Sequence, residues 1–165
     1  MALEIFLRID GVTGSSRNYH HKGWSDVVSW EWSLNQSTPG ADGARPPARM
    51  HEISIVKMIG MDGPGVMQLL AEGTQVESAA VSVVPVVGKR DAQQKYLTMT
   101  FNRVRVASLS IGGSDADNAF RETLKLQFEQ VTYEYNEYAA VGSDGKPTDA
   151  TAYNFGWDMN ANVAC

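Results

Sequence analysis

The chain has almost no cysteine: one in 165 residues, Cys165, and it is the last. No internal disulfide can form, nothing in the covalent chemistry calls for an oxidising compartment, and a Cys–His–Asp hydrolase cannot be argued from one terminal thiol. Cys165 reads as a frayed, exposed end, or at most a cross-link between molecules. Charge is also sparse, at 20% of residues, and its balance is acidic, with net −5 and a pI near 5.1. Nucleic-acid affinity rests on clustered Lys and Arg, and the 14 basic residues here are scattered, so no nucleic-acid partner is expected. No apolar run approaches the roughly 18–20 residues that span a bilayer. Met1–Asp10 has neither a basic start nor a cleavage site. Synthesis and folding in the cytoplasm, without membrane insertion, are the expectation.

Chemical motifs are missing as well. The histidines, His20, His21 and His51, fall in a loop and at a strand start without HExxH or other metal spacing, and the His20–His21 pair reads as solvated. Asp115 and Asp117 alternate in a Gly-rich loop, yet the rest of a calcium-ligand series is absent. The glycines form no phosphate loop before a helix, and no Gly-x-Ser-x-Gly elbow occurs. Neither catalytic residues nor a metal or cofactor site is expected.

What remains is material for a β-rich core: 43% hydrophobic residues and 15 glycines, in a chain long enough to bury roughly 70% of its unfolded surface as one domain over 1–165. The central stretch is Glu122–Tyr135. Leu124, Leu126 and Phe128 alternate with Lys125, Gln127 and Glu129, as in a half-buried strand; after Gln130 the apolar side moves to Val131, Tyr133 and Tyr135. Read as one unbroken strand, it must contain a bulge, a barrel corner or a second partner sheet.

In chain order, Leu3–Ile9 reads as a strand with Leu3, Ile5, Leu7 and Ile9 on one face. A second strand places Trp24, Val28, Trp30, Trp32 and Leu34 on one side, with Trp30 and Trp32 as protomer core. Ser29, Glu31 and Ser33 face the other way, a small polar surface suited to solvent, an aqueous lumen or a wet contact. Asn35–Arg49 contains three prolines and no apolar period, which predicts a structureless loop, either a functional binding arm or a mobile, disordered surface loop. His51–Ile59 should present Ile53, Ile55 and Ile59 to one side, and Val56 and Met58 to the other. One helix is expected over Asp62–Gly73, with Pro64 near its start and Gly73 just past its end. Strands follow at Val76–Val87 and Lys95–Ile111, then a loop over Gly112–Asn118, a loop over Val141–Ala150 and a last strand over Tyr153–Met159. About seven or more strands and one short helix make the chain mainly β, an antiparallel barrel or sandwich.

Several of these pieces, in this order and spacing, resemble one family over nearly the whole chain: Met1–Gly14, Val27–Ser33, the helix ending at Gly73, the Gly112–Gly113 turn, Glu122–Tyr135 and Phe155–Asp158. The chain is similar to Hcp, the haemolysin-coregulated proteins of type VI secretion systems. Asn35–Arg49 diverges most, being richer in Pro and Arg than the usual Gly-rich version. The resemblance implies an antiparallel β-barrel protomer without catalysis that forms a homohexameric ring. Rings stack into a tube tipped by a spike protein and driven by a contractile sheath. Effector proteins ride in the lumen, and export needs no cleaved signal. On that basis Ser29, Glu31 and Ser33 are candidates for the lumen wall. Thr38, Arg45, Pro46 and Arg49 are candidates for an arm that touches a neighbour or the next ring, and Leu124, Leu126 and Phe128 complete the core with the two tryptophans. A phage tail-tube protein, with the same ring-and-tube logic, and a monomeric ligand-binding barrel are the alternatives.

Overall fold

A computed structural model describes residues 2–86, 96–116, 120–138 and 150–165. Its strands are β1 (Leu3–Ile9), β2 (Ser25–Glu31), β3 (Leu34–Asn35), β4 (Arg49–Met50), β5 (Ile53–Met58), β6 (Val76–Pro85), β7 (Leu97–Gly112), β8 (Arg121–Gln127), β9 (Gln130–Tyr138), β10 (Ala150–Asp158) and β11 (Val163–Ala164), with one helix, α1 (Gly63–Glu72), after β5. The main sheet runs β11-β10-β9-β7-β6-β1-β2-β5-β8, and β8 pairs back onto β7. That last pairing closes β7-β6-β1-β2-β5-β8 into an antiparallel barrel and leaves β9, β10 and β11 as a wing beyond it. The parts of the sequence-based assignments that fall on Val87, Lys95, Asp117, Asn118 and 141–149 lie outside the described residues.

Glu122–Tyr135 is not one strand. It divides at Phe128 and Glu129 into β8, which pairs with β5 and β7, and β9, which pairs with β7 and β10. The change of phase is real, since Leu124, Leu126 and Phe128 are buried before the break and Val131 after it. The strand that stays continuous is β7. Its residues Leu97–Asn102 pair with β9 and Arg105–Gly112 with β8. Between the two sets Arg103 takes φ 52, a left-handed conformation uncommon outside glycine. The inward residues of β7 change there from Leu97, Met99 and Phe101 to Val104 and Val106. The corner therefore lies in β7, and the β8–β9 break follows it, with the Glu129 N–H donating to the Asn102 carbonyl at 3.1 Å.

A second slip corrects the tryptophan strand. A register shift between Val27 and Ser29 separates two phases of β2. Ser25 is buried and Val27 packs on the core before the shift, and Trp30 and Trp32 pack on it after. Val28, expected inside, is 45% exposed, and Leu34 is exposed as well. Trp24 leaves the shared face and stands edge-on to His21 with the Arg8 guanidinium over its ring.

The helix forms where its punctuation predicts. Gly73 caps it at φ 64, and its N–H reaches the Leu69 and Leu70 carbonyls, a left-handed cap that a side chain would strain. Val66 is fully buried in the barrel core beside Phe101, Leu124 and Leu126, with Leu69 and Leu70 packed at its edge.

Candidate assembly surfaces

The outer face of β2, β5, β8 and the second half of β7 follows from register. Residues opposite each other in antiparallel strands point to the same side. Because Ile53, Ile55, Leu124 and Leu126 are buried, their neighbours must face out. One row across the sheet reads Glu31, Ser54, Lys125, Ser108, and the next reads Ser29, Val56, Thr123, Ser110. Ser29 and Glu31 thus share one outward face with four further hydroxyls on neighbouring strands, Ser54, Ser108, Thr123 and Ser110. Its only full charges in these two rows are Glu31 and Lys125, one of each sign.

Ser33 lies just beyond β2, where its carbonyl accepts from the His51 N–H at 2.9 Å. Glu31 and Ser33 line an open groove of about 820 Å³ together with Arg49, Arg103, Lys125 and Glu129. Arg49, predicted to belong to the arm, therefore lines the same groove as Glu31 and Ser33, two of the three residues predicted for the lumen.

The arm between β2 and β5 is a hairpin and not a structureless loop. Leu34 pairs with Met50 and Asn35 with Arg49 at its base. Further out, Gln36 donates to the Pro46 carbonyl at 2.6 Å, and Gly40 N–H to Ala44 at 3.3 Å closes a turn in which Gly43 has φ 75. Thr38 and Arg45 are exposed on this ribbon, and Pro46 is half-buried. The sequence signal for the hairpin was the pair of glycines three apart around Asp42, Gly40 and Gly43, a turn sequence without flanking alternation.

Of the predicted core, Leu124, Leu126 and Phe128 are buried, and Trp30 and Trp32 are half-buried against them. Trp32 meets Phe128 edge-on at 6.2 Å and donates its indole N–H to the His51 carbonyl at 3.0 Å, so its polar atom is satisfied at the base of the arm.

The barrel also contains an ionic cluster that sequence reasoning missed. Lys57, Asp62 and Glu122 are 1%, 4% and 1% exposed. The Lys57 ammonium lies 2.9 Å from Asp62 Oδ1 and 2.7 Å from Glu122 Oε2, and donates to the Met58 carbonyl at 3.2 Å. The Ser25 hydroxyl donates to Asp62 Oδ2 at 2.5 Å. Two carboxylates face one ammonium, and the excess negative charge sits at the N-terminus of α1, where the helix dipole favours it. A Cβ at Gly63 would come within 2.8 Å of Glu122 Oε1, so the first helical residue has to be small. The signal was available: Lys57 shares parity with Ile53 and Ile55, and Glu122 with Leu124 and Leu126. Ile59, expected inside on the same parity, is 48% exposed because β5 ends at Met58.

His21 is the other buried polar surprise. It is not solvated: its ring stacks on Phe6 at 4.3 Å, with Nε2 2.9 Å from Ser82 Oγ and Nδ1 3.1 Å from Asn18 Oδ1. At the β7 corner, Asp158 accepts from the Ala161 and Asn160 N–H groups at 2.9 Å and from Gln130 at 2.5 Å, with Arg103 at 3.7 Å. These donors, the Ala161 N–H first, hold its carboxyl below the ordinary value of 3.8. In the wing, a hydrogen bond with Tyr96 pushes the Tyr135 phenol up. Among the described residues no group of three His, Cys, Asp or Glu side chains could hold a metal ion, and no helix is long and apolar enough to cross a membrane.

A barrel with one small-residue polar sheet, a projecting hairpin and a wing matches the proteins of one secretion machine. The family model described as "Type VI secretion system effector, Hcp" matches residues 6–135. Protein hcp1 of Pseudomonas aeruginosa is 30% identical over 167 residues, covering 99% of each chain. Among solved structures, Hcp1 from Salmonella typhimurium superposes with a TM-score of 0.77 at 29% identity over 100% of both chains. Hcp2 from the same organism gives 0.65 at 26% identity over 97% of this chain and 98% of the other. The chain belongs to the Hcp family and is a tube component of the type VI secretion system.

Proposed function

We propose that six copies close into a ring whose channel wall is the outer face of β2, β5, β8 and β7, and that rings stack through the Asn35–Arg49 arm into the inner tube. The observation that carries this reading is the composition of that face. Ser29, Ser54, Thr123, Ser108 and Ser110 present hydroxyls with little apolar area, and Glu31 is offset by Lys125. Repeated around a ring, such a wall holds a passing protein by several weak contacts at once, which permits both retention and release. Effector proteins are the cargo of this reading. A spike protein caps the tube, and a contractile sheath surrounds it. The tube leaves the bacterial cytoplasm as the machine fires, and the barrel acts by binding and shielding and not by catalysis.

Glu31→Arg tests it. Six-fold rings should persist by negative-stain imaging and sizing, while retention of co-expressed cargo changes by several-fold. Loss of hexamers in that variant would place Glu31 in the contact between protomers and overturn the wall assignment. Elution of the unsubstituted chain near 18.0 kDa would favour a monomeric barrel instead.

A further inference from the structure

The strands β2, β5 and β8 have two ends. At one, β2 leads into the arm and β5 leaves it, and Ile53 stands opposite Leu126. At the other, five residues along β5 and roughly 17 Å away at strand rise, Met58 stands opposite Arg121, and Arg121 opposite Gly112. There the surface changes character. Met58 is 40% exposed, Ile59 48%, Met61 65%, Ile111 46% and Phe120 55%. Ile59 donates to the Phe120 carbonyl at 3.1 Å, and the Phe120 ring lies so close over Gly113 that no side chain fits there. These five side chains form an apolar rim at the end of the barrel opposite the arm.

The buried ions lie within one or two residues of this rim along the chain. Lys57 precedes Met58, Asp62 follows Met61, and Glu122 follows Arg121. The cluster ties the end of β5, the start of α1 and the start of β8 to one another. A buried ion triad is a poor device for net stability, since apolar side chains of similar volume do as well. Fixing three chain segments in one arrangement is a use that such a cluster does serve.

We propose that the rim is the docking site for the arm of a second copy in the next ring, held in shape by Lys57, Asp62 and Glu122 as positioning residues. This rests on the ring-stacking reading above and adds the surface that receives the arm. Three observations select that occupant. Arm and rim lie at opposite ends of the same strands, so joining one to the other repeats head to tail without closing, as a tube requires. The outer arm offers small apolar residues, among them Pro39, Ala41, Ala44 and Pro47, all exposed and able to lie on large side chains. Its charges also match: Asp42 and Arg45 are exposed on the arm, and Arg121 and Asp115 are exposed beside the rim.

The test uses the full chain with Cys165→Ala, so that introduced thiols are unique. Ala44→Cys combined with Met61→Cys, treated with a short bis-maleimide, should give covalent species larger than one ring, and neither single variant should. Cross-links confined to one ring, or efficient linkage by Ala44→Cys alone, would overturn the head-to-tail contact. Independently, Arg45→Asp should reduce tube length in electron micrographs about tenfold, and adding Asp115→Arg should restore it. Failure of Met61→Glu and Phe120→Ser to shorten tubes, with rings and thermal unfolding intact, would remove the rim while leaving the ring reading standing. Absence of rings in the unsubstituted protein would remove both.

Discussion

The two ends of the β2–β5–β8 sheet are held by different physics. At the arm end the backbone leaves the barrel as a ribbon pinned by two residue pairs and a few hydrogen bonds, with nearly every side chain exposed. At the rim end the chain is locked by ions that are almost entirely buried, next along the chain to large apolar groups that are not. The contrast separates stability from assembly. Substitutions at the base of the rim should damage the protomer first, whereas substitutions in the arm should damage only what the protomer builds.

The largest effect is expected at Lys57. Lys57→Ala leaves Asp62 and Glu122 facing each other in the barrel, and removing one partner of a buried pair costs about 3–5 kcal/mol. Replacing the set together, Lys57→Met with Asp62→Asn and Glu122→Leu, should recover most of that loss in urea unfolding. Tube length should not recover with it, because the rim has lost its ties. Full recovery of both would reduce the cluster to packing alone.

Next comes Leu126→Ala, at the arm end of the same sheet. Leu126 is fully buried opposite Ile53, in a cluster with Phe101 and Phe128. Truncation opens a cavity and should cost about 2–5 kcal/mol, with rings re-forming wherever the protomer is folded. A comparable stability loss without loss of tubes, set against Lys57→Ala, sharpens the difference between the two ends.

Most of the apolar architecture could be read from the sequence, because alternation and turn residues act locally. Leu124, Leu126 and Phe128 were placed correctly, as were the helix and its Gly73 cap. Three features could not be read that way, and each has a tertiary cause. The slip after Gln130 was visible, but the corner belongs to β7, where Arg103 takes the left-handed conformation, and a strand's partner is not written in the strand. The bulge at Val27–Ser29 moved Val28 outward and gave Trp24 to a different cluster, since one inserted residue inverts every later position. Lys57 and Glu122 sat in core register, yet their burial depends on each other and on Asp62, which lies in a different segment. Of the surfaces, the alternation around Ser29 and Glu31 was legible, whereas the rim needs the fold to bring Met58, Met61, Ile111 and Phe120 together.

Acid should weaken the β7 corner, where Asp158 lies beside Arg103. The Asp158 carboxyl, 14% exposed beside Arg103, is held below its ordinary value of 3.8, so its contribution to stability is fully present above that value and fades as pH falls through the depressed one. Asp158→Asn should lower Tm at pH 7 and flatten the decline of Tm below about pH 4. A decline of unchanged slope would mean that other carboxylates carry the acid response.

The smallest expected effect on the protomer is the most telling for the tube. Deleting Thr38–Pro47 removes the outer arm, including Asp42, Arg45 and Pro46, but none of the barrel core and neither base pair of the hairpin. Exposed residues away from caps and networks contribute within about 0.5 kcal/mol, and a shorter connection lowers the loop-closure entropy slightly. Tm should therefore move by no more than about 1–2 °C, the shift such an energy produces in a domain of this size. Rings should remain six-fold, and tubes should fall apart into single rings. If imaging instead finds tubes of ordinary length, the arm is not the axial contact, and the rim has to be covered by something else. If the rings themselves are lost, the arm joins neighbours within a ring, and the groove that Arg49 lines with Glu31 and Ser33 becomes the place to look for that contact.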